Sequence, residues 1–206
     1  LALGSFVRSW LGQRRSTSPV KVVVGLGNPG AEYEETRHNV GWWLVDHLAE
    51  AWGFEQEERG RGYVQISGRR GDHQVVLIKP LTFMNRSGAS LASLRRIFTF
   101  DATSDLLVVV DDVSLPPGRA RFRPSGSAGG HNGLKSVEAA VRTREYARLR
   151  IGVGSAPAGW DLAEWVLSRP EPEEEEQILA AFPRLSEGVE AWLDTPMTEV
   201  MSRYNG

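Results

Sequence analysis

Two runs in this chain, VKVVVG at 20–25 and LLVVV at 106–110, consist almost wholly of β-branched and aliphatic residues without polar alternation. Side chains on a strand point to opposite faces at every step, so runs of this kind are buried on both faces of their sheet. A one-sided sheet is excluded, and helices are expected on both faces. The intervening sequence supplies them. Residues 40–52, VGWWLVDHLAEAW, carry apolar groups at helical spacing, with Asn39 placed as N-cap and Gly53 just past the end. Residues 63–79 read as a hairpin turning in GRRGD, 85–98 as an amphipathic helix, and RARFR at 119–123 as a half-exposed strand. A helix capped by Asn132 or a neighbour is expected to about Thr143, followed by a last strand in ARLRIGVG and by helices from Asp161 onward. The fold class is α/β, and no internal repeat interrupts it.

A length of 206 residues suits one domain with a substantial core. The domain is expected over 20–206. Residues 1–19 form an N-terminal extension expected to be mobile, basic, without acids and ending in STSP. Such a start also has the composition of a transit peptide, the lesser reading here. No apolar run reaches the roughly 20 residues of a membrane span. With no cysteine, thiolate chemistry and disulfides are excluded, and the four histidines are too scattered for a structural zinc site.

The net charge of −2 conceals an asymmetry. Residues 161–206 hold 11 acids and 3 bases, whereas 119–150 hold 8 bases and 2 acids. A polyanion responds to the local field and not to the sum, so the basic middle is a candidate nucleic-acid surface. The plain alternative is a solvated basic face.

Gly25, Gly27 and Gly30 match G-x-G-x-x-G, the spacing of a dinucleotide-binding turn. That turn works by opening directly into a helix whose N–H groups hold a pyrophosphate. Here Pro29 removes one N–H, AEYEE places three carboxylates next, and the helical pattern begins only near Asn39. The dinucleotide reading is rejected. The glycines are expected to let the chain turn sharply, so that Asn28 lines a site and His38 enters it.

Three further segments set polar groups beside buried runs: Asn85 in KPLTFMNRSG, Asp111 and Asp112 in LLVVVDDVSLPPG, and His131 and Asn132 in GSAGGHNGLK. Taken singly, the asparagines read as N-caps, the aspartates as turn formers and His131 as structural. Taken together, GLGNPG, TRHNVGWWLVD, KPLTFMNRSG, DDVSLPPG with RARF, GGHNGLK and RLRIGVG, in this order, closely resemble bacterial peptidyl-tRNA hydrolases from about Lys21 to Leu167. The resemblance implies one α/β domain with a twisted mixed β-sheet sandwiched between helices. It also implies a cytoplasmic, monomeric enzyme that needs no metal or cofactor. The implied reaction is hydrolysis of the ester joining a peptide to the 3′-terminal ribose of tRNA, which recycles stalled peptidyl-tRNA.

By the same resemblance His38 is the general base and Asp111 its orienting aspartate, with Asp112 turned away by strand alternation. An ordinary imidazole, with a pKa of about 6.5, is partly neutral at cellular pH and suits that role. Asn85 and Asn132 are substrate-binding amides, and Asn28 separates blocked from free amino groups. Tyr33 and Phe83 contact the tRNA end, although a core position competes for Phe83. Arg119, Arg121, Arg123, Lys135, Arg148 and Arg150 are expected to neutralise acceptor-stem phosphates, with Arg119, Arg121 and Arg123 on one face. One departure stands out: SAPAGWDLAE at 155–164 lacks the lysines that many relatives carry there and brings Asp161 and Glu164. A non-enzymatic RNA-binding relative and an esterase of small substrates are the rival readings.

Overall fold

A computed structural model describes residues 19–206; apart from Pro19, the expected extension lies outside them. Seven strands make one mixed sheet: β1 (Lys21–Gly25), β2 (Glu57–Gly60), β3 (Tyr63–Arg70), β4 (His73–Pro80), β5 (Leu106–Asp112), β6 (Ala120–Arg123) and β7 (Ala147–Gly152). Their order is β2-β3-β4-β1-β5-β7-β6. The central strands β4, β1, β5 and β7 are parallel, and antiparallel pairing occurs at both margins. The helices are α1 (Val40–Trp52), α2 (Gly88–Leu94), α3 (Ala102–Asp105), α4 (Asn132–Val141), α5 (Leu162–Val166), α6 (Pro172–Asp194) and α7 (Met197–Tyr204).

The two apolar runs behave as their pattern requires. Val23, Leu107 and Val109 enter one core with Leu44 and Leu48 of α1 and Phe182, Leu185 and Val189 of α6. Their neighbours Val22, Val24, Leu106, Val108 and Val110 enter a second core with Leu91 of α2 and Leu134 and Val137 of α4. One strand thus feeds two cores by alternation, and each fully buried aliphatic side chain contributes about 1.5–3 kcal/mol.

The structure revises several expectations. β2, with the sequence EERG, is an edge strand whose polar composition gives no strand signal. The helix expected over 85–98 is a 3₁₀ turn, Met84–Arg86, followed by the shorter α2. Asn39 sits at the N-cap position of α1 but makes no capping bond. The glycines divide by role. Gly30 has φ 122°, the left-handed side that a turn needs, whereas a Cβ on Gly25 would lie 2.1 Å from the Gly41 carbonyl oxygen. Gly25 therefore admits α1 tightly against β1 instead of making the turn.

Candidate active site

A cleft of about 830 Å³ opens beyond the carboxyl ends of β1 and β5, where open parallel sheets place their ligands. It gathers Asn28, Tyr33, His38, Phe83, Asn85, Asp111 and Asn132, all seven expected substrate and catalytic residues. Asp111 ends the buried strand β5 and is only 3% exposed. Its Oδ1 accepts from His38 Nδ1 at 2.8 Å and from His131 Nε2 at 3.0 Å. The tautomers follow from the partners. A carboxylate only accepts, so both facing ring nitrogens carry hydrogen. His131 Nδ1 in turn accepts from the Leu134 N–H at 3.2 Å, as an N-cap of α4. In the neutral imidazole of His38, Nε2 is then the ring nitrogen without hydrogen. Burial by itself would raise the Asp111 pKa, but the hydrogen bonds of the two histidines, and their charge whenever they are protonated, outweigh it and hold the carboxyl well below its ordinary range.

Asp112 also lines the cleft, contrary to the expectation that strand alternation turns it away, and what sets it apart from Asp111 is its partners. Its oxygens accept from Ser114 N at 2.9 Å and Oγ at 2.6 Å, and from Arg150 Nε at 2.7 Å. Burial pushes its pKa up, and the Ser114 and Arg150 bonds prevail and lower it.

Asn28 is 6% exposed, and its Oδ1 accepts from the Met84 N–H at 2.7 Å. That bond orients the amide, with Nδ2 as its donor group. Asn39 explains its own missing cap here. Its side chain accepts from the Asn28 N–H at 2.8 Å and donates to the Asn28 carbonyl at 2.9 Å, fixing the backbone on which Asn28 stands. Phe83 is 55% exposed, which removes the core alternative, and meets Tyr33 edge-on at 6.3 Å between ring centroids. Another part of the lining is apolar: Leu162, Ala163, Val166 and Leu167 of α5 and its end. Asp161, at the departure segment, spends its carboxylate on capping α5 through the N–H groups of Ala163 and Glu164.

The basic residues separate. Arg119, Arg121 and Arg123 line one hollow beside β6, as the alternation predicts. Arg121 is the cross-strand partner of Arg150, which lines the cleft, so positive charge runs from the cleft to the sheet edge. Lys135 is exposed on α4. Arg148 is a correction. It is 1% exposed, stacked 4.2 Å from the Tyr146 ring centroid and paired with Glu138 at 3.3 Å, so it cannot meet a phosphate in solution. Alternation placed it on the right face, but the loop through Gly126 covers it, with a Cβ there only 3.2 Å from Arg148 Nη1.

Sequence reasoning missed His131 as a partner of Asp111, Asn39 as the support of Asn28, and the α5 wall. The GGHNG and RHN motifs held the first two in plain view. His38 Nδ1, Asp111 Oδ1 and His131 Nε2 also lie within 4.8 Å of one another, close enough to hold a cation. Both contacts are proton-bearing hydrogen bonds that a metal would have to displace, so the arrangement suits proton handling.

An α/β domain with a buried carboxylate, an oriented imidazole and a ring of amides beyond its strand ends belongs to the class of hydrolytic enzymes. The family follows from comparison. The sequence model of the peptidyl-tRNA hydrolase family matches residues 22–206. The peptidyl-tRNA hydrolase of Symbiobacterium thermophilum is 46% identical over 187 residues, covering 90% of this chain and 98% of that protein. That of Gemmatimonas aurantiaca is 44% identical, covering 84% and 93%. The crystal structure of peptidyl-tRNA hydrolase from Acinetobacter baumannii superposes with a TM-score of 0.81 at 30% identity, over 95% of this chain and 98% of that one. This chain belongs to the peptidyl-tRNA hydrolase family.

Proposed function

We propose that this enzyme hydrolyses the ester between a peptide and the 3′-terminal ribose of tRNA, with His38 as general base and Asp111 as its orienting partner. The observation that carries the reading is the double acceptance by Asp111 Oδ1, which leaves His38 Nε2 free to take a proton. A water molecule within hydrogen-bond reach of Nε2 gives up its proton as its oxygen attacks the ester carbonyl carbon. The resulting imidazolium is stabilised by Asp111 and returns the proton to the departing ribose oxygen. Such a base contributes about 10²–10⁴ in rate. His131 is the second donor that keeps Asp111 ionised and in place.

The amides of Asn85 and Asn132 supply donors for the peptide backbone and for the developing oxyanion. Asn28 meets the peptide amide next to the ester, where a free α-ammonium is poorly accommodated. Tyr33 and Phe83 present aromatic faces and edges to the unpaired 3′ end. Arg119, Arg121, Arg123, Lys135 and Arg150 neutralise acceptor-stem phosphates without reading sequence, as an enzyme acting on many tRNAs requires. The chain acts without metal, as a monomer, in the cytoplasm. No described helix is long and apolar enough to cross a membrane.

The test pairs N-acetyl-aminoacyl-tRNA with unblocked aminoacyl-tRNA in the presence of EDTA. Release from the blocked substrate alone, lost in His38→Ala while tRNA still binds, is the expected result. Full turnover by His38→Ala would remove the base from its role, and EDTA-sensitive turnover would remove the metal-free mechanism.

A further inference from the structure

One charge is buried where neither apolar core requires it. Arg37 directly precedes His38 and is 1% exposed. Its Nε donates to the Val153 carbonyl at 3.3 Å, and Nη1 donates to Ser168 Oγ at 2.7 Å and to the Arg169 carbonyl. Nη2 donates to the Glu174 carboxylate, whose Oε2 also accepts from the Glu171 N–H at 3.0 Å. The guanidinium carbon lies 3.6 Å from the Trp165 ring centroid, and the Arg37 backbone N–H donates to the Ser168 carbonyl at 3.1 Å. These partners come from the end of β7, from α5 and the residues after it, and from the first turn of α6.

The arrangement matters because α5 has little else to hold it. It is 5 residues long, and Trp165 is its one buried residue, with the indole Nε1 donating to the Gly154 carbonyl at 2.9 Å. A helix of one turn has no stability of its own. Yet α5 and its end supply apolar lining, Leu162, Ala163, Val166 and Leu167, to the same cleft that His38 lines. The position of that wall of the cleft is therefore set by Trp165 and by the guanidinium stacked on it.

We infer that Arg37 is a positioning residue: it locks the α5 wall onto the turn that carries His38, so that the surface receiving the substrate and the base acting on it move as one body. The inference rests on His38 being the base. Lysine cannot take over the role, because a point charge lacks the planar fork that meets several acceptors while stacked on a ring. A displacement of about 1 Å between wall and base is enough to cost about 100-fold in rate.

Full-length wild type, Arg37→Lys, Glu174→Gln and His38→Ala are compared in two ways, by kinetics on N-acetyl-aminoacyl-tRNA and by amide hydrogen exchange. Arg37→Lys is expected to lower kcat by about 10- to 100-fold while KM moves by less than about threefold. Exchange should accelerate within 161–169 and stay unchanged in β5. Glu174→Gln, which weakens the lock from its far end, should show the same pattern reduced to about threefold in kcat. Should Arg37→Lys not fold, Glu174→Gln decides by the same readouts. A merely structural role would leave kcat per folded molecule at the wild-type value, and that result overturns the inference. Accelerated exchange spread evenly over β1 and β5 overturns it as well. If His38→Ala retains turnover, the base assignment has failed; if it is inactive while Arg37→Lys and Glu174→Gln keep the wild-type kcat, the lock alone has failed.

Discussion

At the floor of the cleft Asp111 is 3% exposed and holds two imidazoles within 3.0 Å, whereas at the β6 edge the side chains of Arg119 and Arg121 stand in solvent with no hydrogen-bond or ion-pair partner among the described residues. Both regions manage charge, and they do so by opposite physical means. The floor works at hydrogen-bond range in a buried setting, where direction matters and an unmade bond costs about 1–3 kcal/mol or more. The edge works through a field that reaches about 10 Å at 0.1 M salt, tolerates rearrangement and weakens with ionic strength. A substrate with a small reacting ester and a long polyanionic body calls for both. In the function proposed above, the floor acts on the ester and the edge holds the body.

The contrast is tested most severely at the floor. His38→Ala is expected to lower hydrolysis by about 10³-fold or more while tRNA affinity changes little, because the base is removed and the edge is intact. Asp111→Asn should follow with a loss of about 10²-fold or more, since an amide can donate toward Nδ1 and favour the wrong tautomer. The same change should alter stability in acid. The folded-state pKa of Asp111 is depressed, so its contribution is present above the ordinary carboxylate value of about 3.9 and lost as pH falls through the lower folded value. Urea midpoints of wild type and Asp111→Asn should therefore differ most near neutrality and converge at the lowest pH. A constant gap would mean that the histidines do not hold the carboxyl ionised. His131→Ala should cost less, about 10-fold in kcat, because Asp111 keeps its bond to His38. A loss equal to that of His38→Ala would give His131 a direct role.

Much of the floor was legible before the structure, and much of the edge was not, for a physical reason. Uninterrupted runs such as LLVVV dictate a doubly covered strand, and a polar pair at its end must emerge where the sheet stops. Local order thus brings both Asp111 and Asp112 to the cleft, and only their tertiary partners, His38 and His131 for one and Arg150 for the other, tell them apart. The Asn28 and His38 placement is likewise carried by one short turn. What sequence cannot carry is who covers whom across the chain. Arg148 and Arg150 share a strand and a face, yet the loop through Gly126 closes over one and leaves the other in the cleft. Arg37 stands beside His38 in sequence, but its partners lie at 153, 168, 169 and 174, so its burial is a property of the tertiary fold. The edge strand β2 is polar because its environment is solvent, and it leaves no periodic trace.

That difference in coverage yields the smallest and most discriminating effects. Replacing Arg121 and Arg123 together by alanine should weaken tRNA binding by about 10-fold at low salt and reduce the slope of log affinity against log salt by about 1 to 2, since each phosphate contact contributes about 0.7–0.9 to that slope. Arg148→Met should leave the slope where it is. The substitution removes a buried guanidinium from Glu138 and Tyr146, so it lowers the urea midpoint, with Glu138 left without one of its two arginines. Salt titrations of binding beside denaturation curves separate the two. If Arg148→Met flattens the salt dependence as the edge pair does, the loop through Gly126 opens when tRNA binds, and the border between covered and exposed charge moves one strand inward.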